Sequence, residues 1–137
     1  MSGYLLDTNL ISELFRKKPS SSVLDRVKSL EADRVFTSAI CVMELRYGTQ
    51  RHPDGKRLWQ RISESIFPRI QVLPLRFKEA RQAADILAEL ASQGAPIGLE
   101  DVLIGATAMT HGLTVATRNL RHFNRIRGLQ AESWWDD

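Results

Sequence analysis

An acidic residue directly behind an apolar run is the first feature of this sequence that could do chemistry. Asp7 follows Tyr4–Leu6 in the stretch YLLDTN, and the apolar run predicts a first strand. Ligands of open parallel α/β sheets bind at the carboxyl ends of strands, which would put Asp7 at a site. Asp, Thr and Asn are also favoured caps of a following helix. The stretch alone leaves both interpretations of Asp7, Thr8 and Asn9 open.

A second acid, Glu44, lies in the predicted helix AICVMELRYG. Its helical neighbours are apolar or small, with Ile40 four residues before it and Gly48 four residues after it. Burying a carboxylate without a partner is costly. Glu44 therefore either reaches solvent from the edge of its helix or meets a cation.

A third acid, Asp101, lies in the first turn of a helix predicted to begin near Leu99. A carboxylate there interacts favourably with the helix dipole and stabilises the helix by ~0.3–1 kcal/mol, and Glu100 could play the same role. Small and apolar residues three, four and seven positions after Asp101 give it a smooth helical face. Periodicity therefore prefers Asp101 over Glu100 only weakly.

The elements that must position these acids alternate along the chain. The patterns predict strands at 4–6, 34–38, 69–75, 113–117 and 129–133, and helices at 8–18, 20–31, 39–48, 53–67, 78–94 and 99–112. Such alternation is typical of a parallel sheet covered by helices on both faces. The stretch TVATRN then ends a second apolar strand in Thr117, Arg118 and Asn119. The polar ends of this strand and of the first strand would meet at one edge of the sheet.

Composition predicts one soluble globular domain, residues 1–137, with 43% hydrophobic and 26% charged residues. We expect a cytoplasmic protein, because no apolar run approaches the roughly 20 residues of a membrane span and the N-terminus lacks the pattern of a signal peptide. The single cysteine, Cys41, is expected to be a buried small hydrophobe. The net charge of +3 is too small to diagnose nucleic-acid binding.

Arginine and lysine residues nevertheless cluster in two segments. The members are Arg46, Arg51, Lys56, Arg57 and Arg61 in the middle of the chain, and Arg118, Arg121, Arg125 and Arg127 near its end. Such clusters are either solvated faces or phosphate-binding surfaces.

The stretches YLLDTNLISEL, TSAICVMELRYG and GAPIGLEDVLIGATAMTHGLTVATRNLRHFNRIRGLQAESW resemble, in this order, the PIN-domain ribonucleases. Within that family the chain resembles the toxin subunits of VapBC and FitAB toxin–antitoxin pairs. The resemblance implies a three-layer α/β/α sandwich with a short, mostly parallel sheet of four to five strands. It also implies RNA cleavage with Mg²⁺ or Mn²⁺, a homodimer, and a small antitoxin whose C-terminal segment covers the site, in a heterotetramer or hetero-octamer.

Carried over by position, the resemblance makes Asp7, Glu44 and Asp101 the catalytic metal-site acids. Thr8, Asn9 and Thr117 match polar residues that support the site. Asn119 stands where many members carry a fourth acid, and an amide oxygen brings no charge, so a second ion would be held less firmly. His122 is expected to be solvent-facing or packed rather than a ligand. Arg118, Arg121 and Arg46 are candidates for contacts with the RNA phosphates.

The chemistry also follows from the residues. Three carboxylates about 4 Å apart would repel by about 4 kcal/mol per charged pair at an effective dielectric of 20, unless they are protonated or filled by a cation. A hard divalent ion with oxygen ligands fills such a pocket and activates a water molecule on a phosphodiester. The residues and the resemblance together predict a metal-dependent endoribonuclease, and the resemblance implies that it acts as a toxin.

Two alternatives remain open at this point. A phosphoacceptor receiver-like module would also place an acid at a strand end. Such a module would need an acidic pair before the acceptor strand and a lysine at the position of Arg118. A non-catalytic RNA- or partner-binding domain has Asn119 as its only support in the sequence.

Overall fold

Parallel strands form the central sheet of the computed structural model, which describes residues 3–137. The described residues contain five strands, in the order β3-β2-β1-β4-β5. They are β1 (Tyr4–Leu6), β2 (Val35–Ser38), β3 (Gln71–Leu73), β4 (Thr114–Ala116) and β5 (Ala131–Glu132). Every neighbouring pair is parallel, so the prediction of a short, mostly parallel sheet is confirmed.

Helices cover both faces of this sheet. In the part of the chain that the structure describes they are α1 (Thr8–Leu14), α2 (Ser21–Ser29), α3 (Ala39–Gln50), α4 (Gly55–Ser65), α5 (Phe77–Ser92), α6 (Leu99–Thr110) and α7 (Leu120–Phe123). Short 3₁₀ turns lie at Ala32–Arg34 and Phe67–Arg69. The result is the predicted α/β/α sandwich.

Two apolar cores, one on each face, hold the layers together. Alternation along β1 sends Leu5 into the core beneath α5 and α6, and Leu6 into the core beneath α1 and α4. Val115 and Ala116 of β4 divide between the same two cores. The central strands are therefore apolar on both sides, which leaves polar chemistry to the residues beyond their carboxyl ends.

The connections create a topological switch point between β1 and β4. The chain leaves β1 toward β2 and β3 on one side, and α5 and α6 then carry it across to β4 on the other side. Leu6 pairs with Ala116, so Asp7 and Thr117 directly follow paired residues at the carboxyl edge. Open α/β sheets bind ligands at this kind of position.

Several predicted elements differ from the observed ones at their ends, of which α1 and β3 have a clear physical cause, and one helix was missed. Helix α1 ends at Leu14 instead of residue 18, because Phe15 and Arg16 close it with i→i+3 bonds and the Glu13 carboxylate then accepts the Ser20 N–H. Strand β3 spans 71–73 instead of 69–75, since a 3₁₀ turn precedes it and Pro74, which follows it, has no N–H for the ladder. The four-residue helix α7 was not predicted. No helix of residues 3–137 is both long and apolar enough to cross a membrane.

Candidate metal centre

Asp7 lies at the end of β1 and caps helix α1. Its Oδ1 accepts the Thr8 N–H at 2.8 Å, and its Oδ2 accepts the Thr117 hydroxyl at 2.7 Å. The Asp7 backbone N–H still continues the sheet by donating to Ala116 at 3.0 Å. The Asp7 carboxylate therefore caps the helix and also faces the switch point, and its role at a ligand site stays a prediction.

The environment of Asp7 disfavours a bare charge. The residue is only 4% exposed. Burial raises its pKa to about 6, and the charges of Asp101 and Glu44 add to that rise, although hydrogen bonds from Thr117 and Thr8 oppose it. A cation near Asp7 would remove most of this penalty.

Glu44 joins Asp7 from helix α3. Its Oε1 accepts the Thr8 hydroxyl at 2.5 Å, and the residue is half-buried. Ligand atoms of Asp7, Glu44 and Cys41 all lie within 4.8 Å of one another. Glu44 therefore faces the same cleft as Asp7 from helix α3, and its contact with a cation stays a prediction.

The sulfur of Cys41 is close to these carboxylates but is a poor ligand. Burial raises the pKa of the Cys41 thiol, and the charge of Asp7 raises it further. Metals bind the thiolate and not the thiol. Cys41 is fully buried, as predicted, and the donors of this group are the carboxylate oxygens.

Asp101 belongs to a second cluster across the site. Its Oδ2 lies 3.1 Å from the Asn119 amide nitrogen and 2.8 Å from the His122 Nδ1. In the described residues 3–137, the ligand atoms that lie within 4.8 Å of one another belong to Asp7, Cys41 and Glu44. Asp101 is not part of this group. The expectation that all three carboxylates meet within about 4 Å was therefore wrong. The separation lowers their mutual repulsion and leaves room for an ion and its waters.

Thr117 connects the two clusters. It is fully buried, and besides donating to Asp7 its Oγ1 accepts the Asn119 backbone N–H at 2.9 Å. Asn9 reaches the same oxygen at 3.5 Å and accepts the Arg118 N–H at 3.2 Å. Thr117 and Thr8 thus orient the carboxylates of Asp7 and Glu44, and Asn9 contacts Thr117.

These residues surround an open cleft of about 470 Å³ at the carboxyl edge of the sheet. Its lining consists of Asp7, Thr8, Asn9, Ser12, Glu13, Arg16, Glu44, Asp101 and Asn119. Every predicted acid and its polar neighbours line the cleft, except the buried Thr117 behind it. Oxygen donors with excess negative charge are the ligands that hard divalent cations prefer.

A larger groove of about 850 Å³ continues from this cleft, and the two share Ser12, Arg16 and Glu44. Its floor is partly apolar, with Leu45 and Ile62, and several basic side chains form its rim. The basic residues are Arg16, Lys17, Lys18, Arg57 and Arg61.

The predicted phosphate-binding arginines do not line the cleft. Arg118 pairs with Asp137 and lies 5.2 Å from the ring centroid of Trp135. Arg46 stacks on Trp59 at 5.1 Å, and Arg121 is exposed on α7. Arg16 is the arginine at the cleft, and its side chain is 65% exposed beside Glu13.

Sequence reasoning missed Arg16, Glu13 and the role of His122. Glu13 is buried, which disfavours its charge, but hydrogen bonds from Ser20 and Arg16 outweigh this and lower its pKa. Glu13 lies four residues after Asn9 and His122 lies three residues after Asn119, so helical spacing put both near a known candidate, but nothing in the sequence indicated the contacts that they or Arg16 make.

Comparisons with known proteins identify similar sequences and similar folds. A family model described as the PIN domain matches residues 4–129. The tRNA(fMet)-specific endonuclease VapC of Shigella flexneri is 36% identical to this chain, with 98% of this chain and 99% of that protein aligned. Toxin FitB of Neisseria gonorrhoeae is 40% identical over 87% of this chain and 89% of its own length. A solved structure of DNA-bound VapBC from Salmonella typhimurium superposes with a TM-score of 0.88 at 34% identity, and it covers 98% of this chain and 99% of that one.

Proposed function

Because the chain belongs to the PIN-domain family, we propose that it is a divalent-metal-dependent endoribonuclease and the toxin of a toxin–antitoxin pair. The observation that carries the proposal is the convergence of Asp7, Glu44, Asp101 and Asn119 on one cleft at the switch point of the sheet. Similar proteins are described as a tRNA-specific endonuclease and a toxin. We propose that residues 1–137 form one nuclease domain that acts in the cytoplasm.

The donors of the cleft fit Mg²⁺ or Mn²⁺. Asp7, Glu44 and Asp101 supply carboxylate oxygens, and the raised pKa of Asp7 marks a position where positive charge is favoured. The thiol of Cys41 stays protonated and does not compete. When bound, the ion polarises a phosphodiester oxygen and activates a water molecule.

The remaining residues of the site position groups and balance charge. Thr117 and Thr8 fix the carboxylates of Asp7 and Glu44 through hydroxyl hydrogen bonds. Arg16 lies in the wall of the cleft with its guanidinium largely exposed, so it can contact an RNA phosphate. Arg118, Arg121 and Arg46 lie outside the cleft and remain candidates for contacts with RNA farther along its path.

The groove beside the cleft suits the C-terminal segment of an antitoxin. A partner segment in this groove would cover Glu44 and Arg16, since both belong to the groove and to the cleft. The apolar floor fits apolar side chains of the segment, and the basic rim favours acidic ones. The homodimer, heterotetramer and hetero-octamer implied by the resemblance remain proposals.

Cleavage of RNA by the purified chain tests this function. The protein is incubated with tRNA(fMet), a structured RNA and a single-stranded RNA, with Mg²⁺ or Mn²⁺ and with a chelator. We expect cleavage only with the ion, and a loss of at least about 100-fold in Asp7→Asn and Glu44→Gln. Asp25→Asn and Glu64→Gln make the same changes at exposed positions and should cleave normally. Equal activity in all four variants would dismiss the site.

The receiver-like alternative does not fit the sheet. Receiver modules of the flavodoxin type order their strands 2-1-3-4-5, whereas β1 lies centrally here in the order β3-β2-β1-β4-β5. The non-catalytic binding module stays an outcome of the cleavage test, since ion binding without cleavage would favour it.

A further inference from the structure

Three side-chain atoms at the cleft form a triangle that hydrogen bonds cannot fully satisfy. His122 Nδ1 lies 2.8 Å from Asp101 Oδ2, and the Asn119 amide nitrogen lies 2.9 Å from that Nδ1 and 3.1 Å from that Oδ2. If Nδ1 carries the proton, it donates to Asp101 but faces the amide N–H of Asn119. If Nδ1 carries none, it accepts from Asn119 but faces the Asp101 oxygen. One edge of the triangle is repulsive in either tautomer.

We propose that this triangle is a coordination face for a late first-row transition-metal ion such as Co²⁺ or Zn²⁺, with His122 as a nitrogen ligand. Turning the Asn119 amide by a half-rotation exchanges its nitrogen and oxygen, so that all three corners present lone pairs. Ligands about 2.1 Å from an ion and at right angles to one another are about 3 Å apart, which matches the three edges. An ion therefore removes the repulsive edge without moving the three side chains apart.

The nitrogen ligand sets this face apart from the carboxylates of Asp7 and Glu44. Carboxylate and amide oxygens suit Mg²⁺, whereas imidazole favours later ions of the first transition row, such as Co²⁺ and Zn²⁺. His122 is the histidine of the described residues that contacts a candidate site acid. Its side chain is 38% exposed, so an ion and its waters can reach it. The inference rests on the proposed function only in taking Asp101 as a ligand of the same centre.

The backbone holds the triangle in place. Asp101 lies on α6 and His122 on α7, and the neighbouring Phe123 is fully buried. Gly105 allows the α7 segment to approach α6, because a Cβ there would lie 2.7 Å from the Cδ1 of Ile126. The packing therefore holds the backbones that carry Asp101 and His122 close together, and the contacts within the triangle orient the side chains.

Ion binding by the metal-free full-length chain tests the inference. Co²⁺ and Mg²⁺ are titrated separately, with Co²⁺ followed by its visible absorption and both followed by calorimetry. In ¹⁵N-labelled protein, Co²⁺ should broaden the ring signals of His122 and leave those of His52 sharp. His122→Phe should weaken Co²⁺ binding by about 10- to 100-fold and change Mg²⁺ binding by less than about threefold. His122→Asp should lower the preference for Co²⁺ over Mg²⁺ by at least about tenfold.

His52→Phe is the matched control, because His52 is exposed and lies in the groove away from Asp101. It should bind both ions as the wild type does. Equal weakening of Co²⁺ and Mg²⁺ in His122→Phe would overturn the proposal, since His122 would then only support Asp101. Unchanged ring signals of His122 with Co²⁺ would overturn it too. These readouts need no RNA. A chain that binds Co²⁺ through His122 but cleaves no RNA would therefore contradict the proposed nuclease function and still support this metal site.

Discussion

The hydroxyl of Thr117 donates to Oδ2 of Asp7 at 2.7 Å, which joins two residues 110 positions apart in the chain. The same oxygen accepts the Asn119 backbone N–H at 2.9 Å. One buried hydroxyl thus fixes the acid at the end of β1 and the loop that follows β4. Both contacts depend on the parallel pairing of these two strands.

Replacing Thr117 by valine nearly keeps the side-chain volume and removes the hydroxyl that bonds Asp7, Asn119 and, at 3.5 Å, Asn9. The Asn119 N–H loses its acceptor, and the Asp7 carboxylate loses a donor that lowers its pKa. We expect metal affinity, measured by calorimetry, to fall by about 10- to 100-fold. Thr117→Ser keeps the hydroxyl and should stay within about threefold of wild type. A valine variant that binds metal as the serine variant does would show that Thr117 only fills space.

The pKa of Asp7 makes the stability of the metal-free protein depend on pH. The folded-state pKa is about 6, above the ordinary 3.8, so the folded state holds this proton more tightly than the unfolded state. The resulting stabilisation is complete below about pH 4 and is lost as pH rises through about 6. A rise of two units corresponds to about 3 kcal/mol.

Denaturant unfolding in a chelator, with wild type and Asp7→Asn compared from pH 4 to 8, measures this effect. The free energy of unfolding of wild type relative to the variant should fall by about 2–3 kcal/mol across that range, because other groups cancel in the difference. Adding Mg²⁺ at pH 8 should raise the stability of wild type and leave Asp7→Asn nearly unchanged. A difference that does not vary with pH would mean that the Asp7 carboxylate ionises freely.

Much of this architecture could be predicted because local signals and tertiary packing agree. The apolar runs that became β1 and β4 end in polar residues, so the parallel-sheet prediction already placed Asp7 and Thr117 at one edge. The element boundaries were less accurate where side chains act on the backbone. Helix α1 stops early because Glu13 accepts the Ser20 N–H, a contact that no periodicity reveals.

The sequence predicted that three acids share one place in the fold, but it did not predict their spacing, and their role as metal ligands stays a prediction. Asp7, Glu44 and Asp101 do surround one cleft. The distance between their carboxylates depends on how the helices pack against the sheet. The sequence does not determine that packing, so the separation of about 4 Å was an assumption. Asp101 instead faces His122, which the sequence gave no reason to rank above a packed or solvated histidine. The position of Arg16 at the cleft likewise depends on the turn that follows the shortened helix α1.

Cys41 should prove dispensable for metal binding although its sulfur lies close to two carboxylates. Its thiol stays protonated because burial and the charge of Asp7 both raise its pKa. Cys41→Ala should therefore change Mg²⁺ affinity by less than about threefold, while the small cavity lowers stability by about 1 kcal/mol. Cd²⁺ added to wild type should produce no thiolate charge-transfer absorbance. That absorbance, or a large loss of Mg²⁺ affinity in the variant, would make Cys41 a ligand.

A buried acid remote from the cleft should matter for stability alone. Glu79 is 3% exposed; its Oε1 accepts the Arg76 N–H at 2.9 Å, and its Oε2 lies 2.7 Å from His111 Nε2. It thereby joins the start of α5 to the end of α6. Burial disfavours its charge, but hydrogen bonds from the backbone and from His111 outweigh this and lower its pKa. The stabilisation is therefore present above the ordinary value of 4.5 and is lost as pH falls through the lowered pKa.

Glu79→Gln should lower the free energy of unfolding at pH 7 by about 1–3 kcal/mol, since the amide weakens one of the two contacts. The difference in free energy of unfolding between wild type and Glu79→Gln should become smaller as pH falls through the folded-state pKa of Glu79. Glu89→Gln is the control on the same helix, because Glu89 is 40% exposed in its pair with Arg127, and it should cost less than about 0.5 kcal/mol. Chemical denaturation of the three proteins measures these values, and RNA cleavage should be the same in all of them. If the Glu79 and Glu89 variants lose equal stability, the bridge between α5 and α6 contributes nothing beyond a surface ion pair.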